Sequence, residues 1–335
     1  MTPTGTPPAR DPFPAPPAVA VAPEVRRALD AGHPVVALET AVLTHGLPRT
    51  PMARPCELAA WDPALPANLA LSLLLDATVR AAGAVPATVG MLDGTLHVGL
   101  DRAQLERLGR DERARKLSTR DLGAAAVQRA SGGTTVAATL AACAVAGIRV
   151  FSTGGIGGVH RHWTERPDVS ADLAALARTP VAVVSAGAKS ILDLPATVEA
   201  LDALGVPVVG LGTRAFPRFF SRGDEALGVS CTAADAREAA AICAAHWQFA
   251  PAGGVLVANP PPERWAIPNA EVEATIAAAM LDAVREGVRG AAVTPFLLDR
   301  VQRATGGRTV AANVSVLEGN ARAGAEIARA LAARA

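Results

Sequence analysis

The 335 residues (34.0 kDa) suffice for one large core or two smaller ones, and a single catalytic α/β domain over residues 23–335 is the expectation. Half of the residues are hydrophobic, 19% are charged and 3% are aromatic, with 30 glycines, which excludes a disordered chain, a coiled coil and a disulfide-rich scaffold. Lys and Arg number 32 against 31 Asp and Glu, a net charge of +1 with few rings for base stacking, so nucleic acid is not an expected partner. The first 23 residues carry eight of the 26 prolines and lack a basic start followed by an apolar block. Residues 1–22 therefore read as a disordered, Pro-rich tail and not as a signal peptide. Cys56, Cys143, Cys231 and Cys243 form no CxxC and have no histidine at metal-finger spacing, which fits a reducing cytoplasm. The longest apolar stretch, Val136 to Ile148, is closed by Arg149 before the ~18 residues a membrane span needs.

Beyond the tail, short β-branched runs alternate with long alanine-rich stretches. Strands are predicted at Pro34 to Glu39, Ala87 to Leu92, Ile148 to Ser152, Val181 to Ser185, Val206 to Leu211 and Val255 to Ala258. Each shows little polar alternation, as strands covered on both faces do. Helices are predicted at about 67–82, 134–146, 171–178, 188–204, 233–247, 270–286 and 308–332. The order implies a three-layer α/β/α sandwich with a mostly parallel or mixed central sheet. One internal echo stands out: Val127 to Thr139 and Val301 to Asn313 agree at ten of thirteen positions. Both copies suggest a helix ending at Gly-Gly and a new one beginning with Thr, an arrangement able to hold a phosphate or merely to turn the chain.

Four segments can carry chemistry. Phe151 to His160 follows a strand and has glycines at 154, 155, 157 and 158, a spacing of GGxGG that is no dinucleotide fingerprint and reads as a ligand-facing loop. Asp168-Val-Ser-Ala-Asp172 sets two carboxylates around a hydroxyl, with Ser170 as the N-cap of a helix; such oxygen donors suit Mg²⁺ or Mn²⁺, or serve only as capping. Val181 to Ser190 runs a buried strand through small residues into Lys189 at an expected helix start. Desolvation and the helix terminus would favour its free amine, a nucleophile toward carbonyl carbon, and the Walker A glycines are absent. Glu39 ends the first strand after four apolar residues, where carboxyl ends of strands face the ligand crevice, and suits acid–base work. Pairing with an arginine is its alternative.

Val36-Ala-Leu-Glu39, His45-Gly-Leu-Pro48, Lys116 to Asp121, Gly133 to Val136, Thr153 to Arg161, Asp168 to Asp172 and Ala186 to Asp193 resemble the pseudouridine-5'-phosphate glycosidase (indigoidine synthase A-like) family. Ala258-Asn-Pro260, Thr294 to Leu298 and Asn313 extend the likeness over about residues 24–330. The resemblance implies a lyase that reversibly splits the C–C glycosidic bond of pseudouridine 5'-phosphate into uracil and ribose 5-phosphate, with Mn²⁺ or else Mg²⁺, as a homotrimer. It implies Lys189 as nucleophile, Glu39 as proton donor and Asp168 as metal ligand. Lys116, Val136, Ser170, Ala171 and Asp172 become substrate contacts, and His160 and Asn313 further active-site positions. On this reading an acid, Glu39, opens the ribose ring, Lys189 forms an imine at C1' that acts as electron sink, and Lys116 with Thr134 and Thr135 holds the phosphate.

The chain departs from the family between Pro48 and Pro66, where an extra segment, about Arg49 to Leu65, contains Trp61; a lid, a subunit contact or a disordered loop are its readings. The helix after it, Leu69 to Leu75, is also greasier than the family's. Two rivals to the glycosidase remain: an imine-forming aldolase or lyase on another phosphorylated sugar, and a non-catalytic phosphosugar-binding protein.

Overall fold

The computed structural model describes residues 19–56, 61–165, 167–288 and 293–334. Its strands are β1 (Val19–Val21), β2 (Val35–Leu38), β3 (Val85–Leu92), β4 (Thr95–Val98), β5 (Arg115–Leu117), β6 (Gly132–Thr134), β7 (Val150–Ser152), β8 (Val159–His160), β9 (Ala182–Ser185), β10 (Leu192–Asp193), β11 (Val208–Leu211), β12 (Cys231–Ala233) and β13 (Val255–Ala258). The helices are α1 (Pro23–Asp30), α2 (Ala41–His45), α3 (Ala67–Ala81), α4 (Arg102–Arg110), α5 (Thr119–Val127), α6 (Val136–Ala146), α7 (Ala171–Leu176), α8 (Leu194–Ala203), α9 (Ala236–Phe249), α10 (Asn269–Arg285), α11 (Val293–Ala304) and α12 (Arg308–Ala332).

The central sheet runs β1-β4-β3-β2-β7-β9-β13-β11-β12, with β6 added to β3 and β5 to β6. From β3 to β12 every neighbour is parallel, whereas β4 and β6 lie antiparallel to β3. Alternation along each strand divides the core in two. Val36, Leu38, Val184 and Val257 pack with α3, α9 and α12, while Ala37, Phe151, Val183 and Leu256 pack with residues of α6, α7, α8 and α10. Helices thus cover both faces, the expected three-layer sandwich with a mixed, mostly parallel sheet. Helix α3 is greasy because it serves two cores: Leu71, Leu74 and Leu75 face the sheet, and Leu69 packs with Leu43, Leu105 and Leu108.

Several expectations need correction. Of the expected tail, residues 1–18 lie outside the described residues, but Val19–Val21 pair in parallel with β4. The helix expected from 188 starts at Leu194, where Asp193 caps it by accepting the Ala196 N–H at 3.0 Å. The two echo segments differ: around Gly306 and Gly307 the chain passes from α11 to α12 through positive φ, but Gly132 and Gly133 belong to β6. A Cβ on Gly133 would stand 2.2 Å from Thr44 Oγ1 and 2.5 Å from the Thr40 carbonyl oxygen, so glycine there serves close packing. The extra segment is anchored on both sides of residues 57–60, which lie outside the described residues. Arg49 donates to the carbonyls of Gly109 (3.1 Å), Thr44 (2.9 Å) and Asp111 (3.2 Å), and buried Trp61 donates to Met52 at 3.2 Å. No helix among the described residues is long and apolar enough to cross a membrane.

Strand β2 is flanked by β3 on one side and β7 on the other. The chain winds outward from β2 to β3 and later returns to its opposite edge, so the strand order reverses between β2 and β7. Crevices for ligands form outside the carboxyl ends of strands at such a point.

Candidate active site

Glu39 leaves the carboxyl end of β2 and Thr153 that of β7, across the reversal. The Thr153 hydroxyl donates to Glu39 Oε1 at 2.5 Å. Thr153 is itself fully buried and its N–H donates to Val184 O at 3.0 Å, so the hydroxyl is aimed by the sheet. Burial holds the Glu39 carboxyl above its ordinary range, helped by the Asp172 charge; Lys189, the Thr153 hydroxyl and Lys116 pull the other way. A carboxyl in this balance keeps its proton to higher pH than a surface glutamate and suits a general acid. No arginine is among the groups acting on it.

Lys189 follows the carboxyl end of β9. Its N–H donates to Ile156 O at 3.1 Å and its carbonyl accepts the Leu192 N–H at 3.0 Å, which fixes the backbone in the loop before α8. Gly187 has φ +71°, and a Cβ there would stand 2.0 Å from the Pro217 carbonyl oxygen, so the turn into Lys189 requires glycine. The side chain is half-buried, and its charge acts on both Glu39 and Lys116. Lys116, on β5, keeps contact with solvent, yet desolvation and then the Lys189 ammonium hold it below the ordinary lysine range, against Glu39 and Asp172. The structure therefore brings Lys189, Glu39 and Lys116, from three distant parts of the sequence, within electrostatic reach of one another at the recess expected where the strand order reverses.

Helix α6 opens onto the same recess. Asp172 is buried; its Oδ1 accepts the Ala137 N–H at 2.9 Å and its Oδ2 the Gly157 N–H at 2.8 Å. The carboxylate thus ties the first turn of α6, where the positive end of the helix dipole lies, to the glycine loop. Ser170 caps α7 by accepting the Asp172 N–H at 3.2 Å, with Ala171 as the first helical residue. The expectation that the four glycines face a ligand is corrected: Cβ atoms on Gly155, Gly157 and Gly158 would stand 2.6, 2.3 and 2.4 Å from Phe219, Ser170 and Thr197 side chains. They let the loop press into the protein.

Thr134 and Thr135, paired in the sequence reading, part company. Thr134 is fully buried and donates to Val89 O at 2.8 Å, while its N–H is accepted by Thr40 Oγ1 (3.1 Å), which itself donates to Val89 O at 2.6 Å. Its hydroxyl is committed to joining β3, β6 and the end of β2, which corrects its assignment as a phosphate ligand. Thr135 is the N-cap of α6, and its buried Oγ1 has no hydrogen-bond partner among the described residues. The Val136 side chain belongs to the core, leaving its backbone N–H in the first turn as the group able to touch substrate.

His160, on β8, and Asp168 form the outer edge of the loop. The His160 N–H donates to Asp168 O at 3.0 Å, and Nδ1 stands 3.9 Å from Asp168 Oδ2, whose side chain is 64% exposed. Asn313, on α12, brings its Oδ1 to the back of Gly154. Three groups escaped the sequence reading. Thr153 has the same place after β7 that Glu39 has after β2, a signal that was legible. His45 is held below the ordinary histidine range by burial and then by the charges of Lys116 and Arg49, so three basic groups converge beside the recess. Asn320, buried on α12, donates to the Thr153 carbonyl at 2.7 Å. A separate cavity of about 320 Å³ lies between Arg161, Leu192, Pro195, Arg218 and Glu273; the Arg161–Glu273 ion pair (2.9 Å) lines it, and neither Glu39 nor Lys189 does.

A family profile described as "Indigoidine synthase A like protein" matches residues 24–330. A pseudouridine-5'-phosphate glycosidase of Myxococcus xanthus is 50% identical over 310 residues, covering 92% of this chain and 97% of that relative. One from Chloroflexus aurantiacus is 51% identical over 312 residues, covering 92% and 97%. Among solved structures, the prealnumycin C-glycosynthase AlnA in complex with ribulose 5-phosphate superposes with a TM-score of 0.83 at 39% identity, covering 95% of this chain and 98% of that one. An indigoidine synthase A-like protein of Thermotoga maritima gives 0.80 at 34% identity, covering 94% and 97%.

Proposed function

The chain belongs to the indigoidine synthase A-like protein family, and on that footing we propose that it is a pseudouridine-5'-phosphate glycosidase, reversibly cleaving the C1'–C5 bond to give uracil and ribose 5-phosphate. The observation that carries this reading is the half-buried Glu39, its proton affinity raised by desolvation, facing Lys189 and Lys116 where the strand order reverses. The ribulose 5-phosphate bound to AlnA supports a phosphorylated pentose as the sugar.

Electron counting sets the order of steps. The Lys189 nitrogen bonds to C1' as the C1'–O4' bond yields its pair to O4', which takes the Glu39 proton. The nitrogen, cationic once bonded to C1', gives up a proton, and the lone pair so freed forms the C=N bond while the C1'–C5 pair passes to uracil C5, which takes up a proton. The imine is thus the product of cleavage rather than its precursor. Water adds to the imine carbon, frees the amine and leaves ribose 5-phosphate as the aldehyde. Read backwards, condensation expels water, the sense in which the enzyme is a lyase. Lys116, Thr135 and the first turn of α6 hold the phosphate, whose binding energy positions C1' against the amine.

Among the described residues no three His, Cys, Asp or Glu side chains gather into a metal cluster. A single exposed carboxylate nevertheless fits Mn²⁺ or Mg²⁺, which hold most of their shell as water, and Asp168 is that carboxylate; Asp172, with both oxygens on backbone N–H groups, does not fit. When bound, the ion orders water and the uracil edge. A homotrimer in the cytoplasm completes the reading, and light scattering on the eluted protein tests the assembly.

Borohydride reduction in the presence of ribose 5-phosphate, followed by mass spectrometry, tests the function. A sugar adduct on Lys189, with a C–C product formed when uracil and metal are added, supports it. An intact lysine points to the phosphosugar-binding protein, and an adduct without product on uracil to the aldolase; either outcome overturns the glycosidase. Lys189→Arg keeps the charge and abolishes both signals.

A further inference from the structure

A line of hydrogen bonds runs from Glu39 into the protein interior, away from the recess. Its first link is the Thr153 hydroxyl on Glu39 Oε1 at 2.5 Å. The Thr153 carbonyl in turn accepts Asn320 Nδ2 at 2.7 Å, and the Gly154 carbonyl accepts the same nitrogen at 3.4 Å. Asn320 Oδ1 accepts Asn259 Nδ2 at 2.9 Å, and the Asn259 N–H donates to Ser185 O at 2.8 Å, anchoring the line to the ends of β13 and β9. Asn320 is 1% exposed. A buried amide of this kind has one satisfactory orientation: two carbonyl oxygens accept only and must meet its NH₂, and Asn259 supplies the donor its oxygen needs.

We propose that Asn320, oriented by Asn259, is a positioning residue for the reaction: it holds the Thr153 carbonyl so that the Thr153 hydroxyl stays aimed at the Glu39 carboxyl. Asn320 touches neither substrate nor reacting atoms and acts through Thr153 alone. The inference rests on Glu39 being the proton donor. Four groups face that carboxyl: Thr153 beyond β7, Lys189 beyond β9, Lys116 on β5 and Asp172 on α7. Of these, Thr153 is the one whose hydroxyl the amide line controls. A hydroxyl donating to a carboxylate favours the ionised form, so losing its aim lets Glu39 keep its proton to higher pH.

The test measures condensation of uracil with ribose 5-phosphate by the full chain across pH for wild type, Asn320→Asp, Thr153→Val and the double variant. Asn320→Asp preserves shape and turns the donor into an acceptor. It is expected to lower kcat about tenfold or more, with KM for ribose 5-phosphate within about twofold, and to move the alkaline limb of kcat upward by about half a pH unit or more. Thr153→Val is expected to move the limb in the same direction, and adding Asn320→Asp to it to move the limb no further. An Asn320→Asp limb that coincides with wild type overturns the proposal. So does a shift as large with valine at 153 as with threonine, which would be a direct charge effect. Should Asn320→Asp not fold, Asn259→Ala, at a half-buried site, is read in its place: an upward shift of the limb supports the proposal and an unmoved limb overturns it. Glu39→Gln keeps the two readings apart. Loss of the limb in Glu39→Gln with no movement in Asn320→Asp sinks this inference alone, whereas a limb that survives Glu39→Gln removes Glu39 as the acid.

Discussion

Replacing Asp172 by asparagine separates two accounts of one residue. The carboxylate accepts the Ala137 N–H at 2.9 Å and the Gly157 N–H at 2.8 Å. Asparagine keeps one acceptor and turns an NH₂ toward the other N–H, so one charge-assisted bond, worth about 1.5–3 kcal/mol, is lost. Removing negative charge from the start of α6 adds about 0.3–1 kcal/mol, for a total near ~3 kcal/mol. At roughly 1.4 °C per kcal/mol for a chain of 335 residues, the melting temperature should fall by about 4 °C. Thermal and urea denaturation read that change, and kinetics on ribose 5-phosphate read the site. If Asp172 is the clamp described above, stability drops and kcat drops with it, because both the α6 terminus and the glycine loop lose their tie. A variant that melts within about 1 °C of wild type but shows a raised KM for the sugar phosphate would refute the clamp and restore Asp172 as a direct substrate contact.

Glu39→Gln should lower kcat by about 10²–10⁴-fold. Its stability should carry the sign of a carboxyl whose folded pKa lies above its ordinary value of about 4.5: the native group's contribution is fully present below about pH 4.5 and lost as pH rises through the folded value. The glutamine variant is therefore expected to melt above wild type at pH 7–8 and to lose that advantage at pH 4, as calorimetry at the two pH values will show. Gly133→Ala puts a methyl 2.2 Å from Thr44 Oγ1 and 2.5 Å from the Thr40 carbonyl oxygen, where backbone must move; a loss of about 3 kcal/mol or more in denaturant titration is expected. Asp168→Ala should abolish activation by added Mn²⁺ and leave the melting temperature of the metal-free protein within about 1 °C, because the side chain is mostly exposed.

Much of the architecture was legible because buried parallel strands are short apolar runs and helices are long. Val255–Ala258 and Arg308–Ala332 have the predicted limits, and the other predicted strands differ by a few residues at their ends. Strand β5, Arg115-Lys-Leu117, escaped prediction because three residues with two charges show no period; it is a strand through pairing with β6. The glycine-rich segment after β7 reads in sequence as a ligand loop, but glycine marks close approach of any kind, and here most of the approaching atoms are the protein's own. The helix expected at Lys189 starts five residues later because Asp193 is the residue that caps it. Sequence motifs pointed to Lys189 and Glu39, but their meeting with Lys116 depends on the order of strands, which no local pattern encodes. The committed hydroxyl of Thr134 and that of Thr135, unpartnered among the described residues, are adjacent in sequence, and the difference is set by what lies across from each.

The sheet's winding has a consequence for biosynthesis. Glu39 and Lys116 emerge from the ribosome well before Lys189, and the helix carrying Asn313 and Asn320 follows nearly 120 residues later still. A nascent chain halted after β7 would therefore hold the acid without the amine. Lys189 and Glu39 come together only as the far side of the molecule zips onto the near one, so under the mechanism proposed above a partly made copy has no means of capturing sugar aldehydes through this pair.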